Sequence, residues 1–413
     1  MIRRTDKLYD IGELPELGVL PEKMHAWVLT QDSLGELPGA FHQEIVDVPE
    51  PKKGEVIVAN MCAGVNFNGV WAALGRPKNV LAHDGIYGEE DLDFHICGSE
   101  SAGIVYAVGE GVTKVKVGDR VTIGGGQYDP ECPVIKAGED PVCSPTFRVW
   151  GYEGNWGAFA QFSKVLELQC QPYPDVLSFE EAASFTATGI PICRMLTHWT
   201  ENKVKPGDVV LIYGGSGGLG TIAIELVKYF GARPVAVVSD DEKGKFCMSL
   251  GAEGYLNRKK YDHWGKLKNY SDPEAQRRWT ASAMKFKRDI WKIVGEKKSP
   301  AIVIEHPGSD TFPTSVFVCD THGMVVTCGA TTGYDADFDL RYLWMNQKRI
   351  QGSHSGTEED YEVYWKAIVE GGVRPYIGKV FNWEELPAAH EALYKGTGPY
   401  GRMVINIGNT GRR

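Results

Sequence analysis

The sequence predicts an α/β protein of two domains, a small β-rich domain and a doubly wound parallel sheet. Two observations support this prediction. Short strand-like runs separated by Gly-Asp and Gly-Glu turns fill the amino-terminal part of the chain, and strand-like and helix-like segments alternate from Lys203 onward. We place the β-rich domain at 1–200 and 345–413 and the parallel sheet at 201–344.

The first domain opens with a polar leader over residues 1–23, which we expect to lie along the surface. The strands of a small, mostly antiparallel barrel are then predicted at 24–29, 54–60, 103–108 and 120–123. A helix is predicted over 178–187, because Ser178 can act as its N-cap and Glu181, three residues later, completes a capping box.

The second domain alternates strands with helices. Its strands are predicted at 209–213, 235–239, 301–305 and 323–328. An insertion dense in Lys, Arg and Trp occupies residues 258–300. Because parallel neighbours require a crossover connection, usually a helix, this alternation indicates a parallel sheet.

A glycine-rich turn after the first of these strands indicates a dinucleotide-binding loop of the Rossmann type. Gly215, Gly217 and Gly220 supply the G-x-G-x-x-G spacing, and Gly231 is expected to cap the end of the following helix. Glycines permit a tight turn and the close approach of a pyrophosphate, and the helix N-terminus offers unpaired N–H groups to the phosphates. The predicted pyrophosphate-binding residues are Gly215, Ser216, Gly217, Gly218, Leu219 and Gly220.

The end of the second strand determines which nicotinamide cofactor fits. Asp240 can bond a ribose 2′-hydroxyl and so serve NAD, whereas Ser239 and Lys243 can hold the 2′-phosphate of NADP. Arg258 is a third candidate donor. One charge-assisted hydrogen bond is worth roughly 1.5–3 kcal/mol, so two such donors outweigh an acid that points elsewhere. NADPH is therefore favoured; the structural alternative is a set of solvated charges at a helix start.

Composition and charge limit the partners and the compartment. The chain has 413 residues and a formal net charge of −10, which argues against nucleic acid as a general partner. No apolar run approaches the ~20 residues that cross a bilayer, so we expect no membrane partner. The nine cysteines show no paired framework, so we expect reduced thiols and a cytoplasmic location.

A β-rich barrel joined to a dinucleotide-binding sheet resembles the medium-chain dehydrogenase/reductase superfamily, in which the barrel is GroES-like. Zinc-dependent members carry a histidine ligand in a Gly-His-Glu sequence, where this chain has Gly98-Ser99-Glu100. A four-cysteine structural loop is also missing, because only Cys132 and Cys143 lie in that region. We therefore expect no metal site.

Several segments resemble one family of that superfamily more closely, the crotonyl-CoA carboxylase/reductases. These segments are residues 65–71, 150–153, 248–252, 305–308, 331–333, 341–345 and 351–354. The similarity covers almost the whole chain, including the basic insertion, which ordinary quinone oxidoreductases lack. It implies NADPH-dependent reductive carboxylation of an α,β-unsaturated acyl-CoA, in which (E)-but-2-enoyl-CoA gives ethylmalonyl-CoA.

The resemblance implies a CO2 site of four residues. The amide of Asn68 would bond one CO2 oxygen, and Tyr152 would wall the site. Glu153 and His354 would order a water against the other oxygen. Each residue also has a structural interpretation, as a turn residue, a loop acid or a buried histidine. After the histidine the chain has Ser-Gly where the family usually has Phe-Ala, which leaves the acyl chain length open.

The resemblance further implies residues that bind CoA and an oligomeric assembly. Arg341 and Tyr342 match the family's CoA-contacting pair, and Lys285 and Lys292 are further candidates for its phosphates. His306 is expected to contact the cofactor. Homologous enzymes assemble through the edge of the dinucleotide sheet, so we expect a homo-oligomer, a dimer of dimers.

Two other functions remain open at this point. A plain enoyl-CoA or acryloyl-CoA reductase would protonate the same enolate instead of carboxylating it. A non-catalytic NADPH-binding protein, as some quinone-oxidoreductase relatives became in the lens, would need only the cofactor loop. The presence of Asn68, Glu153 and His354 favours the carboxylating enzyme.

Overall fold

The structure, a computed structural model, describes residues 2–81, 92–265 and 272–408. Residues 266–271 of the predicted basic insertion therefore lie outside the described residues. The chain divides into two compact units. The first comprises Met1–Ala187 and Ile377–Arg413, and the second comprises Thr188–Tyr376.

The strands are, in chain order, β1 (Arg3–Thr5), β2 (Val19–Pro21), β3 (Lys23–Thr30), β4 (His42–Asp47), β5 (Glu55–Gly64), β6 (Phe94–His95), β7 (Ser101–Val108), β8 (Arg120–Ile123), β9 (Gly126–Gln127), β10 (Arg148–Val149), β11 (Phe162–Leu166), β12 (Cys170–Gln171), β13 (Val209–Tyr213), β14 (Arg233–Val238), β15 (Gly254–Asn257), β16 (Ile302–Glu305), β17 (Met324–Thr327), β18 (Arg349–Gly352), β19 (Ile377–Phe381) and β20 (Arg402–Asn406).

The helices are, in chain order, α1 (Phe67–Ala73), α2 (Pro133–Lys136), α3 (Phe179–Ala182), α4 (Gly189–Thr197), α5 (Gly218–Tyr229), α6 (Asp241–Leu250), α7 (Pro273–Val294), α8 (Phe312–Val318), α9 (Leu340–Trp344), α10 (Glu358–Val369) and α11 (Leu386–Lys395).

The first unit is a curved, mostly antiparallel β structure around β5. Its main sheet has the order β12-β8-β7-β5-β20-β19, with β11 also paired to β5, and a second sheet has the order β4-β3-β6. Nearly every residue of β5 is buried, because strands pair on both of its edges and apolar side chains cover both of its faces. Two register irregularities between β5 and β7 add local bending, as expected for a barrel wall.

The second unit is a parallel sheet of order β15-β14-β13-β16-β17-β18. The chain order reverses beside β13, so the carboxyl end of this strand is the topological switch point where such sheets bind ligands. The sheet's apolar side chains, among them Leu211 and Val303, pack with Phe286 and Ile290 of α7. The basic insertion thus contributes a helix to the core of this unit.

The four strands predicted for the second unit agree with the structure within two residues at each end, whereas β15 and β18 were not predicted. The helix predicted over 178–187 is shorter. Its capping box forms as predicted, with Ser178 Oγ accepting from Glu181 N, but α3 ends at Ala182. Directly after it, the Ser184 and Phe185 N–H groups bond the carbonyl oxygens three residues back, and the Ala187 N–H donates to Glu100 Oε1 at 2.7 Å, so the predicted last turns are not helical.

The polar leader is more ordered than predicted. β1 and β2 pair in parallel within it, and Leu20 is fully buried in an apolar cluster of the first unit. The unit boundaries also differ from the predicted domain boundaries. α4 packs against α5 and α10, and β18 is the last strand of the parallel sheet, so residues 188–200 and 345–376 belong to the second unit.

Among the described residues, no helix has the length and apolar character needed to cross a membrane.

Candidate active site

The predicted dinucleotide loop connects β13 to α5, with Gly217 as the N-cap of that helix. A methyl group added to Gly220 would lie 2.3 Å from the carbonyl oxygen of Gly214, so only glycine lets the first turn of α5 pass this close to the loop. A methyl group on Gly215 would lie 2.7 Å from Ala236 of β14. Both glycines are therefore required by close contacts, as the spacing predicted.

The sequence analysis missed the glycine that makes the turn. Gly214 has φ +60°, a left-handed conformation that side chains disfavour. Ser216 is buried inside the turn, while Gly218 and Leu219 are the first residues of α5. Their backbone N–H groups lie at the start of a 12-residue helix, where a phosphate is stabilised. The run of five glycines between 214 and 220 was the signal available in the sequence.

The structure brings Ser239 and Lys243 together beyond β14. Lys243 Nζ donates to Ser239 Oγ at 3.1 Å, and Asp240 caps α6 by accepting from the Lys243 N–H at 2.9 Å. Val238 pairs in register with Asn257, so the next residues, Ser239 and Arg258, leave neighbouring strands at the same edge. A hydroxyl and a lysine ammonium therefore meet there, and Arg258 follows the neighbouring strand. Asp240 caps α6 with Oδ1 only; its Oδ2 accepts from Ser239 Oγ at 3.3 Å and lies 3.9 Å from Lys243 Nζ. The hydroxyl and the ammonium suit a 2′-phosphate, which would have to displace this carboxylate oxygen from them.

His306 follows β16 and supports the same loop. Its Nε2 lies 3.0 Å from the carbonyl oxygen of Tyr213, so Nε2 carries the proton and donates, because a carbonyl only accepts. Burial lowers the pKa of His306, which keeps the ring neutral. The ring thereby fixes the last residue of β13. Contact between His306 and the cofactor stays a prediction.

Glu305 is a buried carboxyl that the sequence analysis did not single out as a site residue. It accepts hydrogen bonds from Thr311 Oγ1 at 2.6 Å and from the Gly308 N–H at 3.0 Å, and Ser315 Oγ donates to it as well. Burial raises the pKa of Glu305 to about 7, although these donors favour the charged form. The carboxyl ties the loop after β16 to α8, beside His306.

In the first unit, Asn68 lies in the first turn of α1 and is directed to Ser99. Asn68 Nδ2 donates to Ser99 Oγ at 3.2 Å. The side chain of Asn68 is only partly buried, whereas Ser99 is 3% exposed. The residue that replaces the zinc-binding histidine of related dehydrogenases therefore contacts the amide predicted to bind CO2.

Tyr152 and Glu153 lie in a tight turn after β10, and the segment after α1 contacts both. Tyr152 Oη donates to the carbonyl oxygen of Arg76 at 2.9 Å. Glu153 Oε2 accepts from the Val149 N–H at 3.0 Å, and Glu153 Oε1 lies 3.8 Å from Lys78 Nζ. Sequence reasoning missed Lys78, because nothing in its local pattern distinguishes it from a solvated lysine.

Gly98 joins this turn to Asn68. A methyl group on Gly151, which has φ +69°, would lie 2.0 Å from the carbonyl oxygen of Gly98. The turn that carries Tyr152 and Glu153 therefore packs directly on Gly98, and the next residue, Ser99, holds the amide of Asn68. Three of the four residues predicted to bind CO2, namely Asn68, Tyr152 and Glu153, are thus held by the same short segment of the first unit, Gly98-Ser99.

His354, the fourth, belongs to the second unit. It is exposed and lies two residues after β18. Its neighbour Ser355 has φ +56°, and a methyl group on Gly356 would lie 2.3 Å from Ile190 Cγ2. Local packing therefore requires the glycine that departs from the family's usual alanine. The catalytic role of His354 stays a prediction.

Arg341 and Tyr342 lie on α9 and line a pocket together with Trp279 of α7. The Tyr342 ring meets the edge of Phe317, with 4.8 Å between the centroids, and Arg341 forms an ion pair with Asp339 at 2.6 Å. The guanidinium is largely exposed, so a cation and an aromatic ring are presented side by side. This combination suits a nucleotide with phosphates.

Lys285 and Lys292 are not among the residues that line this pocket. Both pair with the same carboxylate, that of Asp289, at 3.3 Å and 2.7 Å. Tyr261 also donates to Asp289, and the Lys285 ammonium lies 4.3 Å from the centre of the Tyr261 ring. The two lysines thus belong to a separate cluster on α7, and their contact with CoA stays a prediction.

Nothing in the described parts of the chain groups three or more His, Cys, Asp or Glu side chains in a way that could hold a metal ion.

Comparison with known proteins places these features in a family. Residues 52–175 match the alcohol dehydrogenase GroES-like domain, and residues 218–370 match the family described as zinc-binding dehydrogenase. The chain is 42% identical over 400 residues to a crotonyl-CoA carboxylase/reductase of Cereibacter sphaeroides, covering 97% of this chain and 91% of that protein.

Two solved structures are also similar. The crotonyl-CoA carboxylase/reductase AntE in complex with NADP superposes with a TM-score of 0.92 at 46% identity, covering 97% of this chain and 98% of that one. The 2-octenoyl-CoA carboxylase reductase CinF, in complex with NADP and 2-octenoyl-CoA, gives a TM-score of 0.86 at 31% identity, with 95% and 89% covered. The fold predicted from the sequence, a GroES-like domain with a Rossmann sheet, is confirmed, and the chain belongs to the crotonyl-CoA carboxylase/reductase family.

Proposed function

We propose that this enzyme carries out the NADPH-dependent reductive carboxylation of an α,β-unsaturated acyl-CoA, with crotonyl-CoA giving ethylmalonyl-CoA. The observation that carries the proposal is the Asn68 amide, anchored on Ser99 beside the turn that presents Glu153; among the described residues its second N–H has no hydrogen-bond partner. A reductase that only protonates the α-carbon has no CO2 oxygen for such a donor to bind. The similarity to carboxylating relatives supports the same function.

The residues of the second unit fit NADPH. The glycine loop from Gly215 to Gly220 and the N-terminus of α5 would hold the pyrophosphate. Ser239, Lys243 and Arg258 would hold the 2′-phosphate in place of Asp240 Oδ2, which contacts Ser239 and Lys243 in the structure. Bound NADPH supplies a hydride to the β-carbon of the substrate.

After hydride addition, the electron pair of the former double bond resides on the α-carbon and the thioester oxygen. Attack of the α-carbon on CO2 forms a carbon–carbon bond and leaves the charge on the new carboxylate. Protonation of the same carbon gives the saturated acyl-CoA instead. For 99% carboxylation, the barrier to CO2 attack must lie about 2.7 kcal/mol below the barrier to protonation. A gap this small depends on the position of a few polar groups.

Asn68, Tyr152 and Glu153 of the first unit and His354 of the second have distinct tasks in this partition. The second N–H of Asn68 donates to one CO2 oxygen, and Tyr152, anchored on Arg76, walls the site against bulk water. Glu153 and His354 order a water that donates to the other oxygen. CO2 has no donor groups, so each of its contacts must come from a donor.

CoA is bound through its charged end. Arg341 and Tyr342 are placed to take phosphate and ring, and Lys285 and Lys292 add positive charge on α7. None of the nine cysteines forms a disulfide, which supports a reducing compartment, the cytoplasm.

We expect the exposed apolar residues near β18 to be buried when the enzyme self-associates. Trp344 is 67% exposed, and Leu340 and Met345 beside it are exposed as well. β18 is the edge strand of the sheet as described, with Ile350 partly exposed. A second copy that pairs along this edge would cover both. Light scattering of the wild type and of Trp344→Glu tests this: the variant should dissociate.

The function is tested by following NADPH oxidation with crotonyl-CoA, with and without bicarbonate and carbonic anhydrase. Mass spectrometry of the products distinguishes the two outcomes. Ethylmalonyl-CoA that forms only when CO2 is present supports the proposal. Butyryl-CoA as the sole product in both conditions would favour the non-carboxylating reductase, and no turnover with any acyl-CoA would favour a binding protein.

A further inference from the structure

We propose that Ser99 is a positioning residue that holds the Asn68 amide in one rotation, with its nitrogen on Ser99 Oγ and its second N–H available to CO2. The proposal rests on the proposed function, because it assigns Ser99 to the carboxylation branch of that reaction. It adds a residue that does not touch the reacting atoms but controls one that does.

Ser99 binds the nitrogen end of the Asn68 amide. Asn68 Nδ2 donates to Ser99 Oγ at 3.2 Å, and within the described chain the amide makes no other hydrogen bond. Its second N–H and its carbonyl oxygen are therefore left for a ligand. The Asn68 side chain is partly accessible, whereas Ser99 is buried, so Ser99 is the fixed partner.

The backbone around Ser99 holds the hydroxyl in place. The carbonyl oxygen of Gly98 accepts from the Ala158 N–H at 2.9 Å, and that of Glu100 accepts from the Gly64 N–H at 3.0 Å. A methyl group on Gly98 would lie 2.8 Å from Ala158. Because Gly98 is bonded to Ala158 and Glu100 to Gly64 of β5, Ser99 has little freedom to follow a moving amide.

The side chain of Glu100 adds further contacts that hold the segment around Ser99 in place. It accepts from the Ala187 N–H and the Asn66 amide and pairs with Arg402. Asn66 is the N-cap residue of α1, the helix that carries Asn68. One short segment thus fixes both the start of the helix and the end of the asparagine side chain.

The two ends of an amide are chemically different, and CO2 distinguishes them. The nitrogen donates and the carbonyl oxygen accepts, whereas the oxygens of CO2 can only accept. With its nitrogen held on Ser99, the amide has a fixed rotation, and its second N–H is available to a CO2 oxygen. A freely rotating amide spends part of its time with the carbonyl oxygen outward, which repels CO2 but accepts a hydrogen bond from water. Loss of the anchor therefore favours the protonated product.

The first unit offers a matched control. Ser101, two residues further along, also uses its buried hydroxyl on an asparagine, donating to Asn60 Oδ1 at 2.9 Å. Ser101→Ala removes an equivalent buried serine–asparagine bond without touching Asn68. Any effect of general destabilisation should appear in both variants.

The experiment compares wild type, Ser99→Ala, Ser99→Cys and Ser101→Ala under CO2 saturation, measuring the ratio of butyryl-CoA to ethylmalonyl-CoA. Because an anchoring hydrogen bond contributes on the order of 1 kcal/mol, Ser99→Ala should raise this ratio about fivefold while the rate of NADPH oxidation changes little. Ser99→Cys, whose sulfur is a weak acceptor and which keeps the bulk of the side chain, should fall between. Ser101→Ala should leave the ratio unchanged.

A double-mutant cycle shows whether Ser99 acts through Asn68. In an Asn68→Ala background, Ser99→Ala should add no further change to the ratio. An unchanged ratio in both Ser99 variants, or equal shifts in Ser99→Ala and Ser101→Ala, would overturn the proposal. A wild type that forms no ethylmalonyl-CoA would instead refute the proposed function, so the two failures are distinguishable.

Discussion

Glu153 and Lys78 form an ion pair, with 3.8 Å between Glu153 Oε1 and Lys78 Nζ. The other carboxylate oxygen is held by the Val149 N–H at 3.0 Å. The carboxylate is therefore oriented from two sides, while 23% of the side chain remains exposed. A carboxylate that must hold one water against CO2 needs a fixed orientation, because an unrestrained charge would bind water molecules in many orientations.

Glu153→Asp is expected to shift the product from ethylmalonyl-CoA to butyryl-CoA. The shorter side chain keeps the charge but withdraws the carboxylate from Val149 and Lys78 by one methylene, so the ordered water is lost. A change of about 1 kcal/mol in one branch corresponds to about a fivefold change in the product ratio. Glu167→Asp is a suitable control, since Glu167 similarly accepts from the Thr113 N–H at 2.8 Å. An unchanged ratio in Glu153→Asp would remove this residue from the mechanism.

Lys243→Ala is expected to weaken NADPH binding and to spare NADH. The lysine supplies a charge beside Ser239, and one charge-assisted bond is worth roughly 1.5–3 kcal/mol, or about 10- to 100-fold in affinity. Titration of cofactor fluorescence measures both constants. Lys245→Ala, which removes an exposed lysine paired with Glu242 on the same helix, should change neither. Equal losses for NADPH and NADH would show that Lys243 does not recognise the 2′-phosphate.

Gly220→Ala is expected to abolish NADPH binding without unfolding the protein. The added methyl group meets the Gly214 carbonyl oxygen at 2.3 Å, so α5 must move away from the loop and its N-terminus leaves the pyrophosphate. Gly39→Ala serves as the control, because a methyl group there meets nothing within 4 Å. Cofactor titration together with circular dichroism separates binding from folding. Wild-type affinity in Gly220→Ala would contradict the assigned loop.

Acid is expected to destabilise both units through three buried histidines. Burial lowers the pKa of His95, His263 and His390 to about 4, whereas a histidine in the unfolded chain has its ordinary pKa of 6.5. Between these values the unfolded chain binds protons that the folded chain does not, so stability is full above pH 6.5 and is lost as the pH falls towards 4. At pH 5 each histidine should cost about 2 kcal/mol of unfolding free energy.

Denaturant unfolding at pH 7 and pH 5 measures this loss. His390→Asn retains a donor near the position of Nδ1, which donates to the Leu386 carbonyl oxygen at 2.9 Å, but it does not titrate. The difference between the two pH values should therefore be smaller in this variant than in the wild type. An identical difference would show that His390 does not contribute to the pH dependence.

The fold could be predicted because its signals are local. The glycine spacing from 215 to 220, the capping box of Ser178 and Glu181, and the alternation of strands and helices each lie within a few residues of the structure they specify. The end of α3 could not be predicted, since Glu100, 87 residues from Ala187 in sequence, takes an N–H that the predicted helix would have used.

The candidate site was only partly accessible from the sequence. The resemblance pointed to Asn68, Tyr152 and Glu153, but not to what holds them. Ser99 was noted only as the residue that excludes a zinc ligand, and its bond to Asn68 spans 31 positions. Such partners are set by strand pairing and by glycine contacts, which no local pattern in the chain reveals.

The most direct test of the central claim is the fate of the α-carbon when the wild type turns over crotonyl-CoA with NADPH and ¹³C-bicarbonate, with carbonic anhydrase, in D2O. Capture of CO2 predicts ethylmalonyl-CoA that carries one ¹³C in its new carboxylate. Butyryl-CoA bearing deuterium at the α-carbon, with no ¹³C-labelled product, would contradict the account.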